Sequence, residues 1–240
     1  MAKTFFMSDA HIGTADEESE SLKETKLLSF FKHIEKNGSQ LVIVGDLFDF
    51  WFEYRTVIPK GYSRIICSLM GLKDAGVEMH YVAGNHDFWM RDFLMKELNI
   101  RVHFDELDYT IEKKRFYIFH GDGLAQDDHG YRFIKKVFRN RFNIMLYSLI
   151  HPDLAIPFGK WISSLSRKRS EQEEPPFDKD YLARAKQMFD VGYDYVIFGH
   201  LHSPKIQNFG DKVYINLGDW IKHFSYAAFD GKEVSLKYWE

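Results

Sequence analysis

Five short blocks of carboxylate, imidazole and amide side chains recur along the chain, each behind an apolar run. Asp9-Ala10-His11 follows Thr4-Phe5-Phe6-Met7, and Gly45-Asp46 follows Leu41-Val42-Ile43-Val44. Gly84-Asn85-His86-Asp87 follows His80-Tyr81-Val82, and His120-Gly121-Asp122 follows Phe116-Tyr117-Ile118-Phe119. Gly199-His200-Leu201-His202 follows Tyr195-Val196-Ile197-Phe198. Oxygen and imidazole donors without thiolate suit Mn²⁺, Fe²⁺ or Zn²⁺, so the chemistry they point to is metal-assisted. Residues two apart share a face of an extended strand, so Asp9 with His11, and His200 with His202, can reach into one crevice. The carboxyl ends of the strands in an open α/β sheet meet at one such crevice, which makes the five blocks a candidate active site.

The elements that must position these blocks follow from periodicity. Apolar strands alternate with polar-faced helices, the pattern of an α/β layered sheet. Leu27, Phe30, Phe31 and Ile34 fall at helical spacing within residues 22–36, a first helix stopped by Gly38. Residues 62–75 read as a second helix, closed by Gly76, and residues 90–98 as a short third. Behind His120-Gly121-Asp122 the alternation breaks. Residues 131–150 and 156–169 read as helices, the run at 171–176 as a linker, and a further helix runs from Asp178 towards Gly192. Residues 124–190 are therefore expected to form a helical cap over the crevice, inserted into a core of residues 1–123 and 191–240. Lys212–Asn216, Ser225–Phe229 and Val234–Tyr238 read as closing strands of a second sheet.

Of the 240 residues, 45% are hydrophobic and 17% aromatic, which supplies a sizeable core and an aromatic surplus that can face something greasy. The single cysteine, Cys67, rules out an internal disulfide and reads as a small buried helix residue. No charged-then-apolar leader and no run of about 18 apolar residues is visible, so a cytoplasmic protein is expected, with peripheral membrane contact open. The net charge of −3 hides an asymmetry: between Tyr131 and Arg169 nine cations face one acid, Asp153, a local charge of +8. Such a face suits an anionic partner, whether phosphate, nucleic acid or acidic lipid. The histidines outside the blocks (His33, His80, His103, His129, His151 and His223) read as structural or solvent-exposed.

Taken together in order, the blocks resemble the D-x-H…G-D…G-N-H-D…H-G…G-H-x-H pattern of the calcineurin-like metallophosphoesterases, over about four-fifths of the chain. The resemblance implies an α/β fold, a four-layer αββα sandwich of two stacked mixed sheets flanked by helices. It also implies two divalent metal ions, with Mn²⁺ suggested. Carried across, Asp9, His11, Asp46 and His202 hold one ion, and Asp46, Asn85, His120 and His200 the second, with Asp46 bridging. A hydroxide shared by the two metals then attacks phosphorus. Asn85 and His86 stabilise the phosphoryl oxygens, and His86, oriented by Asp87, assists attack or departure of the leaving group. Asp122 is expected to support His120, and Asp49 either supports the site or caps the next segment.

Substrate is narrowed by further likenesses. The Gly45–Trp51 and Gly84–Phe88 blocks, and Asp127-Asp128-x-Gly130-Tyr131 after His120-Gly121-Asp122, are similar to those of the bacterial UDP-2,3-diacylglucosamine pyrophosphatases of lipid A biosynthesis. That family implies cleavage to UMP and 2,3-diacylglucosamine 1-phosphate at the inner face of a membrane, with no nucleic acid as partner. Phe133, Val137, Phe138, Phe142, Met145 and Tyr147 could line an apolar chute for acyl chains, or pack the cap on the body. Asp128, Tyr131, Arg167 and Ser170, with Asn85, His86 and His200, are the expected substrate contacts. The sequence departs from the better-known members at the 171–176 run, and at His86, where those members carry Arg. A sister phosphoesterase acting on another phosphodiester (a nuclease, a cyclic-nucleotide phosphodiesterase or a protein phosphatase) is the alternative, and a metal-free binding scaffold is the non-enzymatic one.

Overall fold

Strands β1 (Thr4–Met7), β2 (Gln40–Val44), β3 (Glu78–Val82) and β4 (Ile100–His103) run parallel, β1 to β3 because they are buried on both faces and need cover on both, while β4 forms the edge and leaves Arg101 exposed. In the computed structural model, which describes residues 3–13, 17–124, 129–172 and 178–240, they form two-thirds of a six-stranded sheet. Strands β10 (Ser225–Phe229) and β11 (Val234–Tyr238) complete it, in the order β11-β10-β1-β2-β3-β4. The second sheet has the order β5-β6-β7-β9-β8, from β5 (Leu107–Ile111), β6 (Lys114–Phe119), β7 (Tyr195–Phe198), β8 (Lys205–Phe209) and β9 (Lys212–Asn216). Only one of the three expected closing strands, β9, joins this second sheet. The other two pair antiparallel beside β1, where Phe229 and Ala227 complete the layer between the sheets.

Side chains alternate across β1 to β3 and fix the layers. Phe5, Met7, Leu41, Ile43, Met79 and Tyr81 face α1 (Glu17–Asn37) and α2 (Ser63–Asp74), meeting Leu27, Phe30, Ile34, Ile65 and Leu69. Phe6, Val42, Val44 and Val82 face the second sheet, with Phe6 stacked on Phe116 at 5.7 Å between centroids. Beyond the second sheet, Tyr181, Ala185, Met188 and Phe189 of α7 (Asp178–Asp190) cover Tyr117, Val196, Phe198 and Tyr214. Each such fully buried large apolar side chain contributes about 1.5–3 kcal/mol. The αββα order is complete with α7 as its fourth layer. The short α3 (Phe93–Leu98) packs beside β4 and ends on Asn99 in the left-handed conformation.

Between β6 and α7 lie α4 (His129–Phe138), α5 (Arg141–Tyr147) and α6 (Pro152–Gln172). The single helix expected over 131–150 is two, because the Asn140 side chain accepts from the N–H groups of Phe142 and Asn143 and starts a new helix. α6 starts earlier than expected, at Pro152, a residue suited to a first turn. These helices reach the body through Phe50, Phe52 and Tyr54, which pack with Ala155, Ile144 and Tyr147. Cys67 lies exposed on α2 rather than buried, since Ile65 and Leu69 take the inward face. Among the described residues no helix is long and apolar enough to cross a membrane.

Candidate active site

Three of the five blocks leave their strands through unusual backbone. Asp9 (φ 53°), His11 (44°), Asp46 (54°), His200 (67°) and His202 (53°) all occupy the left-handed region. For residues other than glycine this costs on the order of 1–3 kcal/mol each and persists only where the surroundings enforce it. Here the loops enforce it on one another. Asp9 N–H donates to the Gly45 carbonyl at 3.1 Å, His11 N–H to the Asp46 carbonyl at 2.9 Å, and Trp220 N–H to the Asp9 carbonyl at 3.0 Å. Gly84 is required by proximity: a methyl group there would overlap the Asp46 carboxylate.

The side chains converge. Asp46 Oδ1 accepts from His86 N–H at 2.9 Å, while Oδ2 lies 3.3 Å from His120 Nε2 and 3.8 Å from His11 Nε2. Asn85 Oδ1 is 3.0 Å from the same His120 nitrogen. Asp9 Oδ2 accepts from His200 N–H at 2.9 Å, and its Oδ1 lies 3.4 Å from His202 Nε2 and 3.8 Å from His11 Nε2. Asp9, His11 and His202 make one donor group, Asp46, His120 and His200 another, and His11, Asp46 and His86 a third that links them. Asp9 Oδ1 and His11 Nε2 are buried without a hydrogen-bond partner. Buried polar atoms are nearly always satisfied, so these orphans aimed at a common point fit cations in the two groups, with Asp46 between them. The supports orient the rings. His120 Nδ1 donates to the Val44 carbonyl at 2.9 Å, which turns Nε2 to the site, and Asp49 Oδ1 stands 3.6 Å from His11 Nδ1.

The electrostatics describe a site that holds positive charge. Burial pushes His11 down, but the carboxylates of Asp49, Asp9 and Asp46 hold it up at about 9. Burial opposes His120 too, and Asp46 and Asp9 still raise it to about 10. Burial would raise Asp9, yet His202 and His11 bring it to about 2. His200, buried beside His120, is pushed down to about 4, and burial also lowers His86 and His202. Protons on His11 and His120 thus occupy the electrostatic place of a divalent cation, which requires neutral imidazoles.

The sequence profile of calcineurin-like phosphoesterases matches residues 2–204. This chain belongs to that family. A Porphyromonas gingivalis protein named UDP-2,3-diacylglucosamine hydrolase is 32% identical to it, over 98% of this chain and 97% of the relative. One of the same name from Proteus mirabilis is 30% identical, over 85% of this chain and 83% of the relative. Among solved structures, an archaeal phosphodiesterase shares the fold at a TM-score of 0.51, with 15% identity, covering 98% of this chain and 99% of its own. The chain is thus a metal-dependent hydrolase, and its His and Asp clusters provide for divalent metal.

In this phosphoesterase Asp87 does not orient His86. Its carboxylate accepts from Tyr81 OH and, at 2.9 Å, from Gly84 N–H, buried behind the loop. Burial and the nearby Asp46 raise it to about 7. Successive residues of a turn point apart, so Asp87 holds the loop's shape while His86 faces the crevice. Both ring nitrogens of His120 are engaged elsewhere, and Asp122 instead meets Lys135 of α4 at 2.6 Å and Arg139 at 3.5 Å. Asp49 proves a support of the site, beside His11. Asp128 lies outside the described residues, and of Tyr131, Arg167 and Ser170 the description covers the helical backbone alone. Two contributors escaped the sequence. Ser163 of α6 touches His86, and Asp219 stands 3.9 Å from His202 Nδ1 while accepting from the N–H groups of Ile221, Lys222 and His223. An Asp after the strand-ending Asn216-Leu217-Gly218 was the available signal for the second.

Proposed function

We propose that the enzyme hydrolyses the pyrophosphate bond of UDP-2,3-diacylglucosamine, giving UMP and 2,3-diacylglucosamine 1-phosphate. The observation that carries this is the pairing of a buried phosphoesterase centre with a greasy neighbour. On α4 to α6, Phe133, Phe142, Leu154, Phe158 and Trp161 are each at least half exposed, as is Leu149 between α5 and α6. Apolar surface on that scale marks a lipid or partner site. Relatives named for this lipid substrate match almost the whole length of the chain, the region of these helices included. Phe138 and Tyr147, by contrast, pack towards Trp89 and serve to seat the helices.

In this reading α4 to α6 form the cap and α7 belongs to the body it packs on. Asp9, His11, Asp46 and His202 hold one ion and Asp46, Asn85, His120 and His200 another, Mn²⁺ being the assigned metal. Bound there, the ions supply Lewis acidity towards phosphoryl oxygens and an activated water near neutral pH. Asn85, its Oδ1 turned to His120, keeps its amide N–H groups for a phosphoryl oxygen. His86 assists attack by taking up a proton from the water. Asp128, Tyr131, Arg167 and Ser170 serve as contacts of the sugar phosphate, and the apolar face lies on the inner surface of the membrane.

The test is a Mn²⁺-supplemented assay on UDP-2,3-diacylglucosamine with product masses read directly and His11→Ala as control. UMP and the diacyl sugar phosphate, lost in the control, are expected. An untouched lipid beside hydrolysis of bis(4-nitrophenyl) phosphate would instead make His86, standing where better-known members carry Arg, the mark of a sister enzyme.

A further inference from the structure

Helix α6 bears on the site through two residues one turn apart. Gly159 lies so close to the Phe50 ring that a methyl group there would overlap it. Ser163, 7% exposed, lies against the loops carrying Asp49 and His86. Its hydroxyl donates to the main-chain carbonyl of Asp49, and its oxygen meets His86 Nδ1. His86 Nδ1 is also 2.9 Å from that carbonyl. A carbonyl can only accept, so Nδ1 carries the ring's proton and Nε2 is the nitrogen turned to the crevice. The Asp49 carbonyl and the Ser163 oxygen thereby hold one tautomer and one ring orientation. One support comes from the body and the other from the cap.

We propose that Ser163 is a positioning residue that makes the orientation of His86 depend on the seating of α6. With Gly159 on Phe50, the hydroxyl is within reach of the imidazole. A lift of the helix by about 1 Å takes it beyond hydrogen-bond distance and leaves the ring with the Asp49 carbonyl alone. An occupant that seats the cap thus readies the imidazole from outside the metal-binding loops. The inference rests on His86 as the proton-handling group.

The test joins spectroscopy to kinetics. In Zn²⁺-loaded, ¹⁵N-histidine-labelled protein, His86 is expected to show a protonated Nδ1 and an unprotonated Nε2, and Ser163→Ala to keep that tautomer but shift and broaden both resonances as the ring loses its fixed orientation. In the Mn²⁺ enzyme Ser163→Ala should lower kcat by about 10–100-fold, the usual effect of removing such an outer partner, with little change in KM. Ser163→Thr, which keeps the hydroxyl, should recover most of the loss. Gly159→Ala should reproduce the kcat loss and the shift changes with Ser163 intact. Unchanged kcat and spectra in Ser163→Ala, or a rise in KM that Ser163→Thr does not relieve, would overturn the proposal. So would an Nε2-protonated ring in the wild type, a result that needs no variant to fold. If the wild type leaves the diacyl substrate intact but cleaves bis(4-nitrophenyl) phosphate, the substrate reading alone fails, and the Ser163 effect is read on that diester.

Discussion

Around Asp46 the donor side chains are buried and held in place, its carboxylate by His86 N–H, His120 by the Val44 carbonyl and Asp9 by His200 N–H, with Asp9 Oδ1 and His11 Nε2 left for a cation. The segment from α4 to α6 does the opposite, leaving Phe133 69% and Leu154 68% exposed on its helices and Leu149 76% exposed between α5 and α6. The difference teaches where each task resides. Chemistry on a phosphoryl group needs donors fixed before the substrate arrives, and strained strand-end loops fix them. Recognition of flexible acyl chains needs apolar surface kept open until it is covered. The two regions meet at few places, chiefly the Phe50–Tyr54 segment, Asp122 and Ser163.

The comparison breaks most severely at the centre. Asp46→Ala removes the carboxylate shared by both donor groups. A metal centre supplies several kcal/mol of transition-state stabilisation, so kcat/KM should fall on the order of 10³-fold or more on every substrate. Metal analysis should show fewer ions per chain. Next comes a substitution confined to the cap. Trp161→Glu places a charge on the apolar face, at a cost of about 1–3 kcal/mol where acyl chains would cover it. That should lower kcat/KM for the diacyl substrate by about tenfold or more, while bis(4-nitrophenyl) phosphate turns over as in the wild type. Equal losses on both substrates would erase the division of labour.

Acidity sharpens the contrast through two histidines of the centre. His11 and His120 lie at about 9 and about 10 in the metal-free protein, above the ordinary 6.5. Their protonation therefore stabilises the metal-free fold fully below about pH 6.5, and that contribution fades as pH rises through 9 to 10. Metal needs both rings neutral, so its affinity moves the other way. The rise in Tm on adding Mn²⁺ should grow from pH 6.5 to pH 9, as followed by calorimetry. The smallest effect belongs to Asp87→Asn. Its carboxyl, raised to about 7 and bonded to Tyr81 and Gly84, holds a loop rather than His86. Turnover should stay within about tenfold of the wild type, against the 10²–10⁴ expected of a group that transfers protons.

Much of this centre was legible because each donor follows its strand within a few residues, and parallel strand ends must meet. Asp9, His11, Asp46, Asn85, His120, His200 and His202 are all brought together as their spacing implied. The layers were legible too, down to β9, β10 and β11, although which sheet each joined was not, because strand order is a long-range property. Asp87 misled through adjacency to His86, which in a turn separates side chains instead of pairing them. Ser163 was illegible because its partner Asp49 lies 114 residues away and nothing local marks a helix serine for that contact. The break at Asn140 was readable in principle from an N-capping residue inside an otherwise helical run.

The most direct test of the division between centre and cap compares kcat/KM of the Mn²⁺ enzyme on UDP-2,3-diacylglucosamine and on UDP-glucosamine, which carries the same pyrophosphate without the chains. Since each buried methylene is worth about 0.8 kcal/mol, the acylated substrate should be preferred by at least about 10³-fold, and Trp161→Glu should shrink that ratio. Equal values for the two substrates would contradict the account, leaving a phosphoesterase whose cap serves another partner.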